Sequence, residues 1–152
     1  MIYRFSLFVT GNSYSPITNE EIKNYPIHIY TDWTKNDMYR IRTKSYCYEY
    51  GGSHLLHDSI FATTEEDMGK IIRDYLTFLE ENKELLQAHG ATEINISATV
   101  YTTYSGRFLF LTTQEMSQLL HYENISISLD ILCLKEEEMR GILQDMLNER
   151  TL

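Results

Sequence analysis

Apolar and polar residues alternate along several short stretches of the chain, which is the pattern of strands with one buried face. The alternation is clearest in YRFSLFVT from residue 3, INISATVY from residue 94 and ISISLDILC from residue 125. A turn at Tyr104-Ser105-Gly106, followed by the run Arg107-Phe108-Leu109-Phe110-Leu111, predicts that the second stretch is the first arm of a hairpin.

Apolar residues at helical spacing predict one long helix over about 64–88. Thr64 is a suitable N-cap, the acids after it favour the positive end of the helix dipole, and Gly90 is a suitable terminator. Three shorter helices are predicted: from the capping-box pattern at Thr18 to just before Pro26, from Thr112 to about Tyr122, and over about 135–149.

The stretch YRIRTKSYCYEY, residues 39–50, places three cations and then three tyrosines on alternate positions. We predict one long strand here, which the following glycine pair ends. Neither of its faces would be apolar along the whole length, and a β-bulge near Lys44 would correct this. The bulge would bury Tyr39 and Ile41 before it and the tyrosines after it, leaving the cations on the open side of the sheet.

These elements predict an α+β fold with a largely antiparallel sheet of five to six strands and helices packed mainly on one face. At 152 residues, with 43% hydrophobic and 23% charged residues, the chain has the composition of a soluble globular protein. It contains no internal repeat, linker or low-complexity tract, so we predict a single domain over residues 1–152.

Charge and cysteine content limit which partners and which cellular compartment are expected for the protein. The 22 acidic residues against 13 basic ones disfavour nucleic-acid binding, which needs clustered cations. No apolar run approaches the ~20 residues needed to cross a bilayer, and the N-terminal stretch has the pattern of a strand rather than of a signal peptide. Cys47 and Cys133 lie in strand-like runs and are expected to be buried free thiols, which indicates a reducing, cytoplasmic location.

A succession of segments resembles a known family. DYLTFLEENKELLQAHGA, INISATV, FLTTQEMSQLL and ISISLDIL follow one another, and FSLFVTG and ITNEEI precede them. This order is similar to that of the uncharacterised bacterial family "domain of unknown function 4279", over roughly residues 3–132. A Lys-Gly-Asp-like turn of that family corresponds to Thr34-Lys35-Asn36-Asp37, which lacks the glycine. The resemblance implies a fold but no catalytic residues, and it makes the helix over 135–149 an addition to the family core.

The run His54-Leu55-Leu56-His57-Asp58 is the most site-like short segment. Two histidines and a carboxylate could bind a metal or act as bases, and the alternative is a pair of loop histidines. The chain has no Gly-x-Ser-x-Gly elbow and no glycine-rich phosphate loop. We therefore predict no catalytic residue, no metal and no cofactor.

Residues on the open side of the predicted sheet and acids late in the long helix are the candidate binding residues. They are Arg4, Arg40, Arg42, Tyr101 and Asp130 on the sheet, and Glu80, Glu81 and Glu84 on the helix. Asp130 in the middle of a strand suggests a cross-strand arginine. The alternative for both groups is a solvated surface.

These features favour a non-catalytic protein-binding domain, such as an adaptor or an immunity-type inhibitor of a basic toxin, since opposite charge speeds encounter. Two alternatives remain open. One is an enzyme with a dispersed site around His54, His57 and Asp58, and the other is a self-associating structural protein. The expected partner is another protein, or a second copy of the chain, rather than nucleic acid or a membrane.

Overall fold

The computed structural model describes residues 1–22, 26–104, 111–119, 121 and 124–149, and it confirms an α+β fold. The strands are β1 (Ile2–Gly11), β2 (Ile27–Trp33), β3 (Met38–Ile41), β4 (Lys44–Cys47), β5 (Gly51–His57), β6 (Phe61–Ala62), β7 (Glu93–Thr102) and β8 (Ile125–Cys133). The helices are α1 (Glu65–Glu81), α2 (Lys83–Ala88), α3 (Thr113–Leu119) and α4 (Glu136–Glu149).

The main sheet has the strand order β2-β5-β1-β7-β8, and β6 pairs with β1 beside this path. All of these pairs are antiparallel except β7 with β8, which run parallel from Ile94 opposite Ile125 to Thr102 opposite Cys133. The sheet is therefore mixed. A parallel pair needs a connection that carries the chain back to the same end of the sheet, and the connection from β7 to β8 contains α3. The hairpin predicted over 104–111 falls mostly on residues 105–110, outside the described residues.

The core lies between one face of this sheet and α1. Tyr3, Phe5, Leu7 and Val9 of β1 are all at most 3% exposed, whereas the even-numbered residues from 4 to 10 are partly exposed. The fully buried Tyr75 of α1 belongs to the same core. We call the sheet face opposite α1, which carries the even-numbered residues of β1, the open face.

The predicted helix over 64–88 forms as two helices, α1 and α2, on either side of Asn82. The predicted N-cap is confirmed, because the side chain of Thr64 accepts a hydrogen bond from the Asp67 amide. Asn82 is buried, and its side-chain amide donates to the Phe78 carbonyl at 2.9 Å. Asparagine bonds to nearby backbone in this way in competition with the helical pattern, which explains the interruption.

The capping-box residues Thr18 and Glu21 form a turn rather than the predicted helix. The Glu21 carboxylate accepts hydrogen bonds from the Thr18 amide at 2.7 Å and from its hydroxyl at 2.8 Å. Its other oxygen lies 3.1 Å from Nε2 of His89, just beyond α2. One of the two capping-box contacts thus forms, while the Glu21 amide donates to the Thr18 carbonyl at 3.1 Å. The contact with His89 ties this turn to the end of α2.

The prediction of one long strand over residues 39–50 is wrong. β3 and β4 form a separate two-stranded antiparallel sheet in which Tyr39 pairs with Tyr46 and Ile41 with Lys44. Arg42 and Thr43 make a two-residue turn, and Arg42 has a φ of 56°. The turn was missed because tight hairpin turns usually carry glycine, asparagine or aspartate at such positions.

The prediction that both cysteines are buried is also wrong. Cys47 in β4 and Cys133 at the end of β8 are both exposed free thiols. The Cys47 sulfur lies 3.1 Å from the sulfur of Met38, its partner across the hairpin. Among the helices in the described ranges, none has the length and apolar character needed to span a membrane.

Candidate functional site

The side chains of His54, His57 and Asp58 do not form one site. His54 and His57 stand three positions apart in β5, so their side chains leave opposite faces of the sheet. His54 lies on the open face beside Phe8, and His57 is buried on the helix side. Asp58 instead approaches His28, with 3.2 Å between the carboxylate and Nδ1. Within the described ranges, no three His, Cys, Asp or Glu side chains are arranged to hold a metal ion.

His57 forms a buried pair with Asp74 of α1. The Ser59 amide donates to Nδ1 of His57 at 2.8 Å, which places the proton on Nε2. Nε2 then donates to the Asp74 carboxylate at 3.0 Å. The hydroxyl of Tyr75 accepts from the His57 amide at 3.0 Å, and burial raises the pKa of Tyr75. Since both ring nitrogens of His57 are occupied, the pair fastens β5 to α1 and leaves no free base.

His54 belongs to an aromatic cluster on the open face. Its ring stacks on Phe8 with centroids 4.4 Å apart, and Tyr30 meets it edge-on at 5.3 Å. Burial, and secondly the positive charge of Arg4, lower the pKa of His54. Nε2 of His54 and Nε of Arg4 are buried without a hydrogen-bond partner among the described residues. The neutral imidazole therefore serves here as a packing ring.

A second group of rings joins the hairpin of β3 and β4 to the main sheet. Trp33 stacks on Tyr48 at 5.0 Å, Tyr48 lies 4.4 Å from Tyr39, and Tyr39 stacks on Tyr46 at 5.6 Å. The indole N–H of Trp33 donates to the Tyr50 carbonyl at 3.0 Å. We call these four rings, Trp33, Tyr39, Tyr46 and Tyr48, the aromatic ladder. Together with the His54 cluster, they cover part of the open face.

The hairpin itself is exposed and basic. Between Thr34 and Cys47 the chain carries four cations and one acid, Asp37. The cations are Lys35, Arg40, Arg42 and Lys44. The hairpin also carries exposed apolar side chains: Met38 is 63% exposed, Ile41 55% and Tyr46 41%. Two more flank it along the chain, Tyr30 in β2 at 63% and Tyr50 just before β5 at 51%.

The predicted binding residues do not share one surface. Arg4, Tyr101 and Asp130 lie on the open face of the main sheet, whereas Arg40 and Arg42 lie on the separate hairpin. The placement of these two arginines on the main sheet was therefore wrong. Asp130 stands in one row with Thr99 and Arg4, but Thr99 lies between the two charges. No arginine of the described residues forms an ion pair with Asp130, contrary to the prediction.

The three glutamates predicted as a contact lie on the helix layer. Glu80 and Glu81 end α1, Glu84 is in α2, and all three are exposed. Glu80 lines a small cavity of about 230 Å³ together with Lys83 and His121. The same Lys83 and His121 line a neighbouring cavity of about 440 Å³ at the start of β7. These acids therefore belong to the helix layer, whereas the hairpin is joined through Trp33 to the open face at Gly52.

Comparison of the chain with protein-family models, curated proteins and solved structures finds no match. The resemblance to domain of unknown function 4279 therefore stays a prediction, and any function has to be argued from the geometry of the chain itself.

Sequence reasoning missed Trp33, which holds the hairpin on the sheet. It lies in the stretch 32–37, whose other residues are all polar and typical of a turn, and it is the only tryptophan of the chain. The feature of the sequence that could have indicated this contact is the pair Gly51-Gly52. A glycine in a strand often marks the close approach of another group. Tyr46 was missed as an exposed residue because the predicted bulge would have buried it.

Proposed function

We propose that this chain is a non-catalytic protein-binding domain that contacts its partner through the hairpin of β3 and β4. The observation that carries the proposal is the concentration of exposed apolar side chains between residues 30 and 50, with Tyr30 and Met38 each 63% exposed. Tyrosine, methionine and arginine are the residue types enriched at interfaces, and all three are exposed on this hairpin.

The aromatic ladder supports the proposal because it fixes the hairpin before any partner arrives. Trp33 anchors one end, and the chain flanking the hairpin is also paired: the Asn36 amide donates to the Tyr48 carbonyl at 3.0 Å, and the Tyr48 amide to the Asp37 carbonyl at 3.0 Å. A surface that is already ordered loses little conformational entropy on binding. The hairpin is thus a preformed contact surface.

The charge of the hairpin indicates which chemistry the partner presents. Four cations and one acid between Thr34 and Cys47 contrast with the net charge of −9 of the whole chain. A partner surface with carboxylates around an apolar centre complements this arrangement. Single-stranded nucleic acid fits it less well, because base stacking needs free aromatic faces and the ladder rings stack on one another.

An immunity-type inhibitor is one form that such a domain takes. A basic toxin would meet the acidic helix layer, where Glu80, Glu81 and Glu84 are exposed, rather than the basic hairpin. The two contact surfaces lie on different elements, so variants of each separate these possibilities.

The test is a comparison of two double variants against a partner isolated with the unaltered chain and then purified. Met38→Ala with Arg40→Ala removes two exposed hairpin side chains that are not part of the aromatic ladder. We expect titration calorimetry to show at least a tenfold loss of affinity, which corresponds to about 1.4 kcal/mol. The matched control, Glu80→Ala with Glu84→Ala, should bind within about twofold of the unaltered chain.

Two results would count against the proposal. Unchanged affinity of the hairpin variant would remove the hairpin from the interface. Loss of binding in the glutamate variant alone would assign the contact to the helix layer and indicate a basic partner.

A further inference from the structure

Strand β8 is an edge of the main sheet. It pairs with β7 on one side, and no described strand pairs with its other side. Every second residue of this nine-residue strand therefore directs its backbone N–H and C=O away from β7, where no described strand bonds to them. Such an edge is a template for another strand, and proteins that act as monomers usually block it with charges, prolines, bulges or covering segments.

The opposite edge of the same sheet, β2, is blocked in this way. The pairing of β2 with β5 shifts register between Ile29 and Thr31, which distorts the edge. The outward amide of Ile29 is capped by the side chain of Asn19 at 2.9 Å. His28 and Asp58 add an ionisable pair. These devices make β2 a poor template for another strand.

In its described structure, strand β8 has only one such device, a single charged residue. Its pairing with β7 keeps one register over all nine residues, it contains no proline, and Asp130 is its one charged residue. Leu129, Ile131 and Leu132 are 38%, 43% and 44% exposed. The hydroxyls of Ser126 and Ser128 are hydrogen-bonded inward to Asn95 at 2.7 and 3.0 Å. Among the described residues, one edge of the sheet is thus protected, whereas the other edge is apolar and has no strand beside it.

We propose that a second copy of this chain pairs with β8, antiparallel and strand to strand, with Leu129 opposite Leu129 of the second copy. This register overlaps all nine residues of both strands. It also sets Ile127 opposite Ile131 of the other copy. Ile127, Leu129 and Ile131 all lie on the helix side of the sheet, so the two copies would form one apolar row across the twofold axis. The proposal does not depend on the hairpin or on its partner.

The charge pattern selects the same register. With Leu129 at the axis, Asp130 faces Ser128 of the other copy. Sliding one strand by two residues relative to the other would set Asp130 directly opposite Asp130, and like charges directly opposite each other destabilise a strand pair. Because residues that face each other in an antiparallel pair share one face, the chosen register also keeps the helices of both copies on the same side of the joined sheet.

The oligomeric state is the first test. Analytical ultracentrifugation at about 100 μM should give twice the chain mass of 17.9 kDa. Leu129→Lys places two ammonium groups at the axis and should give a monomer with an unchanged far-ultraviolet spectrum. The matched control is Met116→Lys on α3, where Met116 is 47% exposed and lies outside β8; it should remain dimeric. A monomeric unaltered chain, or a dimeric Leu129→Lys variant, overturns the proposal.

Cross-linking tests the register in a background that carries Cys47→Ser and Cys133→Ser. Leu129→Cys places the two thiols directly opposite each other, roughly 5 Å apart between Cα atoms, which suits a disulfide. Asp130→Cys, the control, places the Cα atoms about 8 Å apart, beyond disulfide reach. Mild oxidation should link the first variant at least tenfold faster. Faster linking of Asp130→Cys would overturn the proposed register.

Discussion

The indole of Trp33 lies directly on Gly52, its partner in the pairing of β2 with β5. A Cβ atom on residue 52 would collide with Cζ2 of Trp33, and it would lie 2.8 Å from Cε2 and 2.9 Å from the methyl group of Thr10. The hairpin of β3 and β4 is held to the sheet through this indole and the rings stacked on it. The absence of a side chain at position 52 is therefore a condition for the position of the hairpin.

Replacing Gly52 by alanine should displace Trp33 and loosen the hairpin. We expect the free energy of unfolding to fall by about 1–3 kcal/mol, the usual cost of overpacking. The emission maximum of the single tryptophan should shift as the indole leaves its site. In the control, Gly141→Ala, the added methyl group meets nothing within 4 Å, and helix propensity should raise stability by about 0.5–1 kcal/mol. Unchanged emission in Gly52→Ala would contradict this account.

The two His–Asp pairs of the protein should differ in their contribution to stability. His57 and Asp74 are 3% and 29% exposed, whereas His28 and Asp58 are 45% and 69% exposed. Asp74→Ala leaves a buried N–H without its acceptor, so chemical denaturation should show a loss of about 1–3 kcal/mol. Asp58→Ala should change stability by no more than about 0.5 kcal/mol. Equal losses for the two variants would mean that the buried pair has no special role.

Stability should fall as pH is lowered through the ordinary pKa of histidine, in part because of His54. Burial and Arg4 lower the pKa of His54 in the folded chain. Near pH 6.5 and just below it, the unfolded chain binds a proton that the folded chain does not, which favours unfolding. Urea denaturation at about pH 7.5 and pH 5.5 measures the difference.

The variant His54→Phe should reduce this pH dependence, since a phenyl ring preserves the stacking on Phe8 but does not titrate. His121→Gln changes an exposed histidine and serves as the control, with the full pH dependence retained. A His54→Phe variant with the same pH profile as the unaltered chain would show that His54 does not contribute.

The turn of the hairpin should become more stable when Arg42 is replaced by glycine. Arg42 has a φ of 56°, a region that costs non-glycine residues about 1–2 kcal/mol. Part of this gain is offset by the greater entropy of glycine in the unfolded chain, so the net gain should be up to about 1 kcal/mol. Slower hydrogen exchange of the β3 and β4 amides in Arg42→Gly would show this gain in stability. Arg40→Gly, at a paired strand position, should accelerate exchange instead.

The sequence predicted those elements whose pattern is local. β1 shows a clean alternation because one of its faces is buried along its whole length. The start of α1 follows from Thr64 and the acids after it. The parallel pairing of β8 could not be predicted, because it depends on where the chain returns after β7 and not on the composition of β8.

The candidate site was predicted only in part, for a related reason. Arg40 and Arg42 were correctly expected to be exposed, but on the wrong sheet, because the turn between β3 and β4 carries no typical turn residue. The role of Trp33 depends on Gly52, which lies 19 positions further along the chain. Contacts of this kind come from tertiary packing, and no local pattern encodes them.

The position of β1 has a consequence for how the protein is made. β1 leaves the ribosome before the other strands of its sheet, yet it takes the middle of that sheet, where Leu7 pairs with Leu55 and Tyr3 with Val100. Its apolar side chains must wait for neighbours that are synthesised about 50 and then about 100 residues later, and such distant pairings form slowly. The apolar face of β1 therefore stays uncovered while these later strands are synthesised, which is the stage at which chaperones would engage it.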